Sequence, residues 1–217
     1  MRTGTDAMLL GSWADPGNAR RVLDVGTGSG ILALMIAQKS DALVDAIDID
    51  GPSVNEASLN FMNSPWKERL TIYQESLQHF CLNRGGSFGY IISNPPFFSY
   101  SLTPPDFRKQ VARHDDRLPM EDLVSIASQL LTKNGTLGIV FPAASDSLVV
   151  EYCRKHNLFR KKAMKVRTRD NSQPVRILSE FTNVGEQPCT EQELVIRDGH
   201  GNYSAEYLHL TRDFHFF

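Results

Sequence analysis

Short aliphatic and β-branched runs alternate with longer amphipathic stretches along most of the chain. Arg21 to Val25, Leu43 to Ile49, Leu70 to Tyr73 and Phe88 to Ser93 have strand length and strand composition. Between the first of them, Ile31 to Gln38 has the make-up of a helix, and Pro52 opens a second helix with Val54, Ala57 and Phe61 on one face. Pro119 to Leu131 and Ser145 to Asn157 repeat the helical pattern, the latter with Ser145 or Asp146 as a candidate cap, and Gly135 to Phe141 forms a fifth strand between them. Phe159 to Val166, Val175 to Phe181 and Leu194 to Ile196 then follow with little helix between them, and Tyr203 to Phe214 predicts a closing helix. Residues 99–118, "SYSLTPPDFRKQVARHDDRL", carry no sustained period and read as a long loop, a length associated with function or disorder. The alternation predicts an α/β fold: a mainly parallel sheet with helices on both faces, finished by an antiparallel hairpin.

Composition narrows this picture without changing it. A chain of 217 residues with 41% apolar and 22% charged residues is expected to form one domain spanning 1–217. No apolar run has the length needed to cross a bilayer, and "MRTGTDAMLLGSW" has no leader pattern, so no membrane association and a cytoplasmic site are expected. Cys81, Cys153 and Cys189 lie far apart without CxxC spacing and read as buried or idle thiols. The six histidines show no ligand spacing either, so no metal is expected. The formal charge of −2 hides an uneven distribution, because Arg154 to Arg169 holds eight basic residues and no acid. Such a run either grips polyanion phosphates or is a solvated face.

Two stretches carry chemistry. In "LDVGTGSGIL" the dinucleotide pattern G-x-G-x-x-G fails, since Ile31 stands where its third glycine belongs; Asp24, Gly26, Gly28 and Gly30 are spaced at every second position instead. Asp48, at the end of the second strand, can accept hydrogen bonds from two ribose hydroxyls, with Asp50 as a near competitor. This combination resembles motif I and the following acid of the class I S-adenosylmethionine-dependent methyltransferases. The resemblance implies a Rossmann-like, mainly parallel seven-stranded sheet and S-adenosyl-L-methionine as cofactor. It also implies an acid after the third strand to meet the cofactor's adenine, where this sequence has Ser76 beside Glu75.

The second stretch, Asn94-Pro95-Pro96-Phe97 after the fourth strand, resembles motif IV of the amino-methyltransferases. An exocyclic amine is a poor nucleophile because its lone pair is delocalised. Two acceptors aimed at its N–H bonds, the Asn94 side-chain oxygen and the Pro95 carbonyl, would hold it in line and favour rehybridisation. Proline fixes the local backbone and brings no competing donor. Phe97 can stack on the planar target, an interaction worth roughly 1–3 kcal/mol. Phe98 reads equally as core or as a pocket wall. Asn94, Pro95 and Phe97 are therefore the candidate catalytic residues, with Asn94 also facing the cofactor.

"NSPWKERL", "IISNPPFF", "ARHDDRLPMEDL" and above all the tail "ELVIRDGHGNYSAEYLHLTRDFHFF" resemble the bacterial methyltransferases of adenine N6 at position 37 of valine tRNA. The resemblance implies tRNA as partner and N6-methyladenine as product. It also implies a further segment before Gly4-Thr5-Asp6, so the chain is expected to lack an N-terminal piece. Thr5 and Asp6 either close over the cofactor or cap a helix. Arg113 and His114 either meet RNA or pair with Asp115 or Asp116. Arg160, Lys161, Lys162, Lys165, Arg167 and Arg169 are the better candidates for tRNA phosphates. A protein glutamine N5-methyltransferase and a non-catalytic RNA-binding module on the same fold stay open as alternatives. The basic run and the tail disfavour the first; intact Asp24, Gly26, Gly28, Asp48 and Asn94 disfavour the second. The sequence assigns no oligomeric state.

Overall fold

Helix α1 (Thr5–Trp13) precedes a regular alternation of strands and helices: β1 (Arg21–Val25), α2 (Ile31–Lys39), β2 (Leu43–Asp48), α3 (Gly51–Met62), β3 (Leu70–Gln74), α4 (Leu77–Asn83) and β4 (Phe88–Ser93). The second half comprises α5 (Met120–Leu130), β5 (Leu131–Pro142), α6 (Asp146–Lys155), β6 (Phe159–Arg169), β7 (Arg176–Thr182), β8 (Thr190–Arg197) and α7 (Ala205–Thr211). The structure is a computed structural model and describes residues 4–83, 87–95 and 118–214.

The strands form one sheet in the order β3-β2-β1-β4-β5-β7-β6-β8. All neighbours pair in parallel except β7, which runs antiparallel to both β5 and β6. Both faces are covered. Val22, Val44, Tyr90, Ile92 and Val140 pack under α1, α2, α3 and α7, whereas Leu23, Val25, Ile47, Ile91 and Phe141 pack under α4, α5 and α6. Burial on both sides explains why the central strands read as continuous apolar runs rather than alternating ones. The carboxyl ends of β1, β2 and β4 therefore open at one edge, on either side of the point where chain order reverses, the usual place for a ligand in an open α/β sheet.

Several expectations change. Among the described residues the sheet has eight strands rather than seven, because β8 adds to β6 in parallel at the edge. Helices α1 and α4 lie outside the sequence-predicted set. Strand β5 begins at Leu131, and α7 is shorter than Tyr203 to Phe214, because Ser204 caps it by accepting from Tyr207 N at 3.0 Å. Neither Ser145 nor Asp146 caps α6 with its side chain; a 3-10 turn over Ala143–Ser145 leads into it, and the Asp146 carboxylate pairs with Arg160.

Candidate active site

The glycine loop between β1 and α2 is held from two sides. Asp24 is fully buried beneath it, and its Oδ2 accepts from Thr27 Oγ1 at 2.5 Å and from Ala33 N at 3.0 Å, tying the loop to the first turn of α2. Burial, offset in part by these two bonds and reinforced by Asp48, pushes the Asp24 carboxyl from 3.8 up to about 7. Its other oxygen, Oδ1, has no hydrogen-bond partner among the described residues. From the second side, Asp48 Oδ2 accepts from Gly28 N at 2.8 Å and Oδ1 from Asp50 N at 2.9 Å.

Gly26, Gly28 and Gly30 all have positive φ, of 68°, 57° and 83°. A Cβ at Gly26 would meet nothing within 4 Å, whereas one at Gly30 would come within 2.5 Å of Phe61 Cε1 on α3. Gly30 thus serves helix packing, and Gly26 keeps open space beside the loop. Asp48 and Asp50 both line the cleft, but their carboxylates are engaged differently. Asp50 is the N-cap of α3, with Oδ2 accepting from Ser53 N at 2.9 Å and Ser53 Oγ at 2.7 Å, bonds that hold its carboxyl below the usual value. Asp48 has spent about two of its roughly four acceptor positions and faces the cleft.

That cleft, about 730 Å³, is lined by Gly26, Gly28, Asp48, Ile49, Ser76 and Asn94 together with Glu75, Leu77, Pro95 and Leu118. Asn94 follows β4 directly. Ser93, the last residue of that strand, is buried and donates from Oγ to Val25 O at 2.8 Å, joining the strand end to the residue before Gly26. The Asn94 side chain has no hydrogen-bond partner among the described residues. Ser76 caps α4: its Oγ accepts from His79 N at 3.2 Å and its carbonyl from Phe80 N at 2.9 Å. Ile49, Leu77 and Leu118 were not singled out in the sequence. Ile49 had a signal, as an aliphatic residue set between two acids at a strand end, and its side chain is exposed in the cleft.

Residues 3–163 match the family model described as the methyltransferase small domain. The chain belongs to this family. This methyltransferase is 37% identical over 217 residues to the tRNA1(Val) (adenine(37)-N6)-methyltransferase of Bacteroides fragilis, covering 99% of this chain and 91% of that one. It is 36% identical to the enzyme of the same name from Aeromonas hydrophila (99% and 90% covered). Among solved structures, a predicted O-methyltransferase from Agrobacterium tumefaciens superposes with a TM-score of 0.73 at 18% identity over 96% of both chains. A methyltransferase from Pyrococcus furiosus does so with 0.52 at 19% over 75% of this chain and 74% of that one. The two superpositions speak to the fold alone.

The structure of this methyltransferase separates the other candidate residues. Thr5 lies exposed in the first turn of α1, whose N-cap is Gly4, so neither Thr5 nor Asp6 is the cap. Asp6 Oδ2 instead accepts from Arg176 Nε at 2.8 Å, at the start of β7 beside the carboxyl end of β5. The basic run is not one continuous face. Lys161 and Lys162 point to the α1 side, where Lys161 Nζ stands 3.5 Å from buried Glu180 and Lys162 Nζ lies 4.2 Å from the centre of the Trp13 ring. Arg160 pairs with Asp146 over the Phe181 ring on the opposite side. Lys165 pairs with Glu191 at 2.7 Å and Arg167 with Glu193 at 3.4 Å, both acids on β8. By register, Arg160 to Lys162 sit toward the amino edge, away from the cleft, and only Lys165, Arg167 and Arg169 extend past the level of Ser93. Phe97, Phe98, Arg113 and His114 lie outside the described residues.

Cys153 is buried, and burial pushes its thiol up to about 12, which makes it unreactive; Cys81 and Cys189 are free thiols. No group of three or more His, Cys, Asp or Glu converges among the described residues, and no helix among them is long and apolar enough to cross a membrane.

Proposed function

We propose that this protein transfers a methyl group from S-adenosyl-L-methionine to the N6 amino group of an adenine in tRNA, at position 37 of a valine tRNA. The cofactor supplies an electrophilic methyl on a sulfonium, with an ammonium, a ribose and an adenine for the protein to hold. Two features of the cleft fit those groups: the remaining acceptor positions of Asp48 suit ribose hydroxyls, and exposed Ile49 with Leu77 suits the faces of an adenine ring. Beneath the loop and outside the cleft lining, buried Asp24, whose Oδ1 has no partner among the described residues, supplies when ionised a charge suited to the cofactor's cationic end.

The observation that carries the reading is Asn94. It stands at the end of β4 in the same cleft as the glycine loop, with its amide free of partners among the described residues, and Pro95 follows with its fixed backbone. Asn94 Oδ1 and the Pro95 carbonyl accept from the two N–H bonds of the target amine, which orients its lone pair and stabilises charge as nitrogen rehybridises. Ser93 fixes this pair relative to the loop through Val25 O. Phe97 supplies the stacking surface for a base drawn from a single-stranded loop. The names of the curated relatives point the same way, over 99% of this chain. Because the substrate is tRNA, the expected compartment is the cytoplasm.

Nucleoside mass spectrometry of an unmodified valine tRNA transcript treated with enzyme and cofactor tests this. Formation of N6-methyladenosine at position 37 is expected. Methyl label found only in protein, with release factor offered alongside the transcript, would instead establish the glutamine reading.

A further inference from the structure

The tail, beyond the residues that match the family model, builds β8, the turn after it and α7, and none of these lines the cleft. Strand β8 nevertheless has an ordered charge pattern. Lys165 Nζ pairs with Glu191, which stands opposite Ala163, and Arg167 pairs with Glu193, which stands opposite Lys165. Each cation thus leans back one position on its face to an acid. The next member of the series is Arg169, and the corresponding position on β8 is Val195. Arg169 is exposed and its side chain has no partner among the described residues.

Directly opposite Arg169 stands a second arginine, Arg197, so the matched ladder ends in a like-charge pair, an arrangement that is unfavourable unless an anion joins it. Arg197 is also held in place. Its guanidinium lies 4.7 Å from the centre of the Tyr203 ring, which stacks at 4.6 Å and 16° on buried Tyr207, and its Nη1 donates to Gly201 O at 2.7 Å. Its other donors are unspent among the described residues. Of the neighbouring acids, Asp198 turns Oδ1 onto the amides of His200 and Asn202, and Asp170 is exposed beside Arg169.

We propose that Arg169 and Arg197 form a phosphate grip for the RNA substrate at the tip of the β6–β8 wing. A guanidinium fork held by an aromatic stack is suited to the paired oxygens of a phosphate. The position suits the same RNA. Ala163 is level with Ser93, so Arg169, six residues on, stands about 20 Å beyond that level, and β8 lies four strands from β4, roughly 19 Å across. An RNA whose unstacked base enters beside Asn94 would pass the tip with the helix adjoining its loop. The matched pairs at Lys165 and Arg167 are the stiff base of the wing in this account, and the run's electrostatic contribution is concentrated in its last residue. The inference rests on tRNA being the substrate.

The test uses the full chain and an unmodified valine tRNA transcript. Binding is followed by fluorescence anisotropy across a salt series, and steady-state methylation and cofactor affinity are measured in parallel. Arg169→Gln and Arg197→Gln are each expected to lower the steepness of log K against log salt by about one, as for one lost phosphate contact. Each should raise KM for tRNA several-fold with kcat and cofactor affinity unchanged. Arg20→Gln, exposed at the amino end of β1, is the control for simple loss of charge and should move neither quantity. A double variant with wild-type salt slope and KM overturns the grip; so does loss of turnover at saturating tRNA with KM unmoved. Should the double variant no longer bind cofactor, Arg169→Gln decides alone. If the wild type binds the transcript but does not methylate it, the functional reading fails while the salt slopes still judge the grip.

Discussion

Replacing Asp24 by Asn isolates the charge beneath the glycine loop. The substitution keeps the shape and an oxygen that can accept from Thr27 Oγ1 and Ala33 N, and removes the ionisation. In the native protein the carboxyl is raised from 3.8 to about 7, chiefly by burial. Between those values the folded chain holds a proton that the unfolded chain has released, so this group makes folding stability fall as pH rises from about 4 to about 7, with no further change above. Three pH units at 1.36 kcal/mol each amount to about 4 kcal/mol. Urea denaturation of the cofactor-free protein at pH 5 and pH 8 reads this directly: stability of the variant relative to wild type should rise by a few kcal/mol between the two. The same variant should bind S-adenosyl-L-methionine more weakly at pH 8, since an amide N–H would replace the unpartnered Oδ1. Equal pH dependence in the two proteins would refute the reasoning, because Asp24 would then titrate as an ordinary carboxyl in the fold.

Asn94→Ala should lower kcat by about a hundredfold or more, as for loss of one aligned transition-state hydrogen bond. Cofactor affinity by calorimetry should stay within a few-fold, and parallel loss of both would make Asn94 structural. Gly30→Ala forces a left-handed backbone on alanine and a Cβ into Phe61, costing roughly 2–5 kcal/mol in thermal or urea unfolding. Adding Phe61→Leu should recover the packing part only. Arg69→Met removes three guanidinium bonds to Ala37, Ser40 and Ala42 carbonyls at the end of α2, at 2.7 Å, 2.7 Å and 3.0 Å. About 2–4 kcal/mol of stability should be lost with kcat unchanged.

What could be read from the sequence was set by local spacing. The glycine loop and Asp48 were legible because each is fixed to a strand end, and two parallel neighbours bring strand ends together whatever lies between. Asn94 was legible for the same reason. Helix α1 was not, since its residues are apolar nearly all round and Gly11 interrupts them. Only the fold shows that a Cβ there would collide with Met35. Helix α4 was hidden by its length of seven residues, although Ser76 marks its start. The partners of the basic run were not legible, because sequence gives the sign of a charge and not its partner. Asp146, Glu180, Glu191 and Glu193 reach Arg160, Lys161, Lys165 and Arg167 through strand pairing and helix packing that no local pattern reveals.

Helix α1 also bears on how the protein emerges from the ribosome. The last turn of α1 and the residues just after it are secured in part by groups made much later. Trp13 Nε1 donates to Gln192, the Trp13 carbonyl accepts from Lys162, and Asp15 N donates to Glu180, at sequence separations of 179, 149 and 165. At about 5–20 residues per second, the delay between synthesis of Trp13 and of Gln192 is on the order of ten to forty seconds. Lys39 of α2, made early, already donates to the Gly11, Ser12 and Ala14 carbonyls, so α1 can dock on α2 first, and for that interval only its side turned to the later strands is a client for chaperones rather than part of a core.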